Sequence, residues 1–173
     1  MSLINNPKKA VIGVTIFVAI FVAGLFLSKC HAEPLGPLDA PYVQLSGGVA
    51  MIRGPAPVMD LAFTTPAKQL EKAYWQGSMT LIGSSSNRGV DAPNNMMLRG
   101  LFVDGLGRFD LGLGVAYVLN PYPYNGSNMN FALQADYRFE RFPLTVTWAH
   151  VSNAGMTPHN LGRDMLLFGW RFH

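Results

Sequence analysis

From Phe109 to Leu119 the chain alternates without a break. Phe109, Leu111, Leu113, Val115, Tyr117 and Leu119 are apolar on one parity, and Asp110, Gly112, Gly114 and Ala116 are small or polar on the other. Successive side chains of an extended chain point to opposite faces, so this pattern describes a strand with one greasy face. The segment from Phe131 constrains the fold further. There Phe131, Leu133, Ala135, Tyr137 and Phe139 alternate with Gln134, Asp136 and Arg138. Three such groups in succession are costly in a small dry core. They suit the polar interior of a barrel whose apolar parity faces lipid, where they can pair with one another. An antiparallel sandwich with that polar face in water is the soluble alternative this strand alone leaves open.

The same periodicity marks strands near Tyr42 to Ile52, Val58 to Thr65, Lys72 to Gly83, Asn95 to Asp104, Arg108 to Leu119, Asn128 to Glu140, Phe142 to Ser152 and Asp164 to Phe172. Turn-forming residues separate them: Gly54-Pro55, Ser84 to Pro93, Asp104-Gly105, Asn120 to Gly126, Arg141-Phe142-Pro143 and Asn153 to Arg163. Long and short connections roughly alternate, as they do in outer-membrane barrels. The final segment places Leu166, Phe168, Trp170 and Phe172 on one parity. Only 13% of residues are charged, against about a quarter in soluble domains. The expected fold is all-β: an eight-stranded antiparallel transmembrane β-barrel over residues 33–173, and 173 residues suffice for one such domain.

Residues 1–32 read as a cleavable signal peptide. Lys8 and Lys9 give a positive flank, Ala10 to Leu27 an uncharged apolar run, and Cys30-His31-Ala32 small residues for cleavage. The same run is long enough for a membrane anchor. Leu27-Ser28-Lys29-Cys30 faintly suggests a lipoprotein site, against which Lys29 speaks. Without Lys8, Lys9 and Lys29 the chain carries ten basic and ten acidic residues and no basic cluster, so nucleic acid is not an expected partner. The single cysteine leaves with the leader, taking thiol and disulfide chemistry with it.

The last hairpin carries chemistry. Phe142, Leu144, Val146 and Trp148 share a parity that continues to His150 and Ser152, and the lipid-facing set of the final strand extends back to Asp164. Polar groups facing lipid are expensive unless they lie at headgroup level or have a task. A hydroxyl, an imidazole base and a carboxylate that orients the imidazole are what nucleophilic acyl transfer requires. Asn153 and Gly155 follow at once as candidate donors to a developing oxyanion. On the other side, Ser-Asn-Ala-Gly is also a turn sequence, and His150 and Asp164 can be interfacial charges. His159 and His173 read as loop and terminal residues. No His, Asp or Glu cluster has metal-ligand spacing, and Gly105-Leu106-Gly107 reads as a hairpin turn.

The run His150-Val151-Ser152-Asn153-Ala154-Gly155, with Asn160, Gly162 and Asp164 downstream, resembles the active-site hairpin of the PagL family of lipid A 3-O-deacylases. The resemblance covers about fifteen residues in detail. It implies an eight-stranded barrel in the outer membrane of a Gram-negative bacterium, acting on lipid A of lipopolysaccharide without metal or organic cofactor, with a homodimer as an admissible assembly. It also implies Ser152 as nucleophile, His150 as general base and Asp164 as orienting acid, with Asn153 and Gly155 in the oxyanion region. The family's usual acid is Glu. Asp is shorter by about 1.5 Å, so the strands would have to stagger differently for it to reach the imidazole. The competing reading is a non-catalytic outer-membrane barrel, structural or adhesive, that acts through the polar loops at Ser84 to Pro93 and Asn120 to Gly126.

Overall fold

The computed structural model describes residues 41–51, 54–67, 72–87, 90–121, 126–155 and 162–172. The leader, Asn160, His159 and His173 lie outside them. Eight antiparallel strands close a barrel: β1 (Val43–Met51), β2 (Pro55–Pro66), β3 (Ala73–Ile82), β6 (Asn95–Leu106), β7 (Phe109–Val118), β8 (Met129–Arg138), β9 (Leu144–Ser152) and β10 (Arg163–Phe172). Each of the eight expected segments coincides with one of these strands, with boundaries shifted by a few residues. Two short strands, β4 (Ser85–Asn87) and β5 (Val90–Ala92), pair as a ribbon within the β3 to β6 connection, which the sequence reading left as an open loop.

Around the barrel the order is β1, β10, β9, β8, β7, β6, β3, β2, and β1 pairs with β10 from Val43↔Phe172 to Met51↔Asp164. Closure leaves no strand of the barrel with an unpaired edge. The β6 to β7 connection is a two-residue turn, Gly107-Arg108, one step later than the turn expected at Gly105-Leu106-Gly107. Gly107 takes φ +68°, which a two-residue hairpin with positive φ at its first position requires.

Alternation sorts the side chains as the pattern dictates. Outside, Phe109, Leu111, Leu113, Val115 and Tyr117 are all exposed, and the belt continues through Phe131, Leu133, Trp148, Leu166 and Phe168. Such a contiguous apolar surface, with the charges turned inward, inverts the plan of a water-soluble protein and fits a hydrocarbon solvent. Inside, Arg99 pairs with Asp60 at 2.8 Å and donates through Nη1 to Gln134 Oε1 at 3.0 Å. Gln134 Nε2 donates to Asp136, which also accepts from Thr147. Lower in the barrel, Asp110 lies 3.0 Å from Arg138 and 3.4 Å from Arg171, and Tyr74 donates to it. Arg171 donates to Gln44 and sits over the Tyr42 ring. Buried charges persist when paired and hydrogen-bonded, and these are.

The interior is not polar throughout, as the alternation alone had suggested. Towards the end where β9 meets its loop, Ala50, Val58, Ile82, Met97, Val118, Val151 and Met165 form a buried apolar cluster. That end also buries polar side chains, Asn95, Asn130, Asn153 and Arg163, so apolar and polar groups share it.

Candidate active site

The β9 to β10 hairpin brings the His, Ser and Asp to one place on the outer wall. His150 and Asp164 are direct partners in the strand register, and His150 Nδ1 lies 3.0 Å from Asp164 Oδ1. An ionised carboxylate can only accept, so Nδ1 carries the proton and Nε2 is left as the free acceptor. That is the tautomer a general base needs. Placed opposite one another, the two strands are close enough for the shorter Asp to span the gap to the imidazole.

Ser152 lies two residues beyond His150, on the same outward face, at the last position of β9. Among the described residues no hydrogen bond joins it to His150. The two residues are nonetheless neighbours: a Cβ added to Gly162 would sit 3.4 Å from His150 Nε2 and 3.6 Å from Ser152 Cβ. Nucleophile–base contacts are often looser without substrate than in the reacting complex.

Below His150 on the same strand, the Trp148 ring lies nearly parallel to the imidazole, at 18° and with centroids 6.1 Å apart. Leu133 on β8 faces His150 from one side, and on the other β10 carries Asp164, itself opposite Met51 of β1. The side chains of His150 and Asp164 are 30% and 54% exposed, so the site is an open patch on the barrel wall with apolar surface beneath it. Behind the wall, Ala149, Val151 and Met165 belong to the buried apolar cluster, and this packing makes a firm backing for the hairpin.

Asn153 and Gly155 are placed otherwise than expected. Asn153 is wholly buried, and its Oδ1 accepts the backbone N–H of Gly155 at 3.0 Å. Ala154 and Gly155 both have positive φ, +53° and +79°. The pair thus forms a turn that ends β9, and the Gly155 amide is already occupied instead of being aimed at Ser152. The residue the sequence reading passed over is Trp148, whose parity marked it only as lipid-facing; Gly162 entered only as part of the motif, with no role of its own.

No protein-family model and no curated protein match the chain. Among solved structures, the crystal structure of the outer membrane enzyme PagL is similar at 17% identity, over 75% of this chain and 99% of that one, with a TM-score of 0.49. A likeness at that level carries no argument of its own, so the reading of this site stands on its residues and their geometry.

Proposed function

We propose that this protein is a serine esterase of the outer membrane that hydrolyses the ester at position 3 of lipid A and releases a 3-hydroxyacyl chain. The observation that carries the proposal is the His150–Asp164 contact on the lipid-facing wall, with Ser152 on the same face one step beyond. Three polar groups clustered on the outward face of one hairpin would be an unrewarded cost on a structural barrel.

Depth supports the substrate class. Nine residues of β9 at about 3.4 Å each, inclined by about 40°, rise roughly 20 Å, close to the apolar band of about 25 Å. Ser152 therefore stands near the upper limit of the hydrocarbon, where lipid acyl esters lie. The longer connections share that end, which orients it outward. The resemblance of the run His150-x-Ser152-Asn153-Ala154-Gly155, with Asp164, to the lipid A 3-O-deacylase hairpin is what selects lipid A among the esters of that leaflet.

In this reading Ser152 Oγ attacks the ester carbonyl while His150 Nε2 accepts its proton. Asp164 holds the imidazole and stabilises its charged form. The proton passes to the departing sugar oxygen, leaving an acyl-serine. Water, deprotonated by the same imidazole, then releases the 3-hydroxy fatty acid. Asn153 and Gly155 serve as the turn that fixes Ser152, since the Gly155 amide is engaged. No step calls for a metal or an organic cofactor.

Mass spectrometry of lipid A from outer membranes expressing the wild type or Ser152→Ala tests the proposal. Loss of one 3-hydroxyacyl mass that depends on Ser152 is the expected result. Ester release by a folded Ser152→Ala barrel at the wild-type rate would refute it.

A further inference from the structure

We infer that Gly162 is a positioning residue for the catalytic imidazole, an inference that rests on the esterase reading for its kinetic consequence but not for its geometry. Gly162 is buried where the chain enters β10, two residues before Asp164. A Cβ there would come within 2.9 Å of His150 Cε1, a separation real Cβ atoms essentially never show, as well as meeting Nε2 and the Ser152 Cβ. The bare α-carbon thus forms a wall against the Cε1–Nε2 edge of the ring.

The imidazole is then bounded on three sides. Asp164 holds Nδ1, the Trp148 ring flanks one face, and Gly162 limits how far the opposite edge can swing. The direction of Nε2 is set by that third constraint, because one hydrogen bond and one ring contact still allow rotation about the bond to Cβ. A side chain at 162 would push the ring away and occupy the space between base and nucleophile.

The backbone supplies a control. Gly162 has φ +66° and Gly107, in the turn at the opposite end of the barrel, has φ +68°. A Cβ at Gly107 would meet nothing within 4 Å. Alanine at either position would take a positive φ that L side chains rarely adopt, and only at 162 does it also meet the ring.

The test compares wild type, Gly162→Ala and Gly107→Ala as full-length barrels refolded in detergent micelles, following the His150 Cε1–H resonance and the kinetics of ester release from lipid A. Gly162→Ala is expected to displace the resonance and lower kcat about 100-fold, the cost of a misplaced catalytic group, with KM within about threefold. Gly107→Ala should leave both unchanged. A Gly162→Ala barrel with an unmoved resonance and kcat within about twofold of wild type overturns the inference. If Gly162→Ala does not fold, the double variant Gly162→Ala/His150→Ala decides: with the ring gone it should fold, and failure to recover overturns the inference. A wild type that releases no ester refutes the esterase reading, while a resonance displaced only in Gly162→Ala still supports the ring contact.

Discussion

Replacing Asp164 tests whether the hairpin is a catalytic device. Asp164→Asn keeps the side chain's shape but removes the charge and lets an amide N–H face the imidazole, which disfavours the tautomer with Nε2 free. A unit charge about 4 Å from the forming imidazolium is worth about 1 kcal/mol in water and about 4 kcal/mol at an effective dielectric near 20. Asp164 is 54% exposed, so solvent screening places it towards the middle of that range, at about 2–3 kcal/mol. The expected fall in kcat is therefore about 30- to 150-fold, less than the roughly 10⁴-fold cost of the same change in a triad whose acid is buried. Asp164→Glu adds a methylene to a contact already closed at 3.0 Å, so the longer chain must fold back, and a loss of up to about tenfold is expected. The assay is the release of 3-hydroxyacyl chains from lipid A in mixed micelles, with folding checked by heat-modifiable gel mobility. An Asp164→Asn enzyme within about twofold of wild type would refute the role of the carboxylate. A faster Asp164→Glu enzyme would show that the 3.0 Å contact is not the productive one.

Other expectations concern the scaffold. Arg99→Met strands Asp60 in the barrel interior and should lower stability by about 3–5 kcal/mol, measured by urea unfolding in micelles, whereas Asp60→Asn combined with Arg99→Met should recover most of the loss. Leu113→Arg places a charge at mid-strand on the outer belt and should cost about 2–4 kcal/mol in lipid vesicles, while Leu106→Arg, at the strand end beside the turn, should cost about 1 kcal/mol or less. Equal costs at 113 and 106 would argue against a bilayer around this belt.

Much of this architecture could be read from alternation alone, because a strand's period-two pattern states which residues share a face. That is why His150, Ser152 and Asp164 were assigned to one wall from their parity with Trp148 and Leu166. Other features depend on contacts that periodicity does not encode. The apolar cluster of Val58, Met97, Val151 and Met165 arises from which strands meet at which height, a matter of register around the whole barrel. The β4–β5 ribbon lies in a stretch too short and polar to display a period. Asn153 has the parity of Val151 and so points inward, and its partnership with Gly155 follows from two consecutive positive φ values that turn residues permit but do not announce. Gly162 is informative only through what a side chain would strike.

The strand that carries the acid is also the strand that closes the barrel. Asp164 is flanked by His150 on one side and, in the last rung against the first strand, by Met51 on the other. On the proposed reading, the wall around the site is complete only once the first and last strands have paired. With those strands apart, the hairpin could still hold acid against base, but the acid would lie on an unpaired edge strand. Closure would then finish the surface that a lipid must lie against, in the bilayer that holds the substrate.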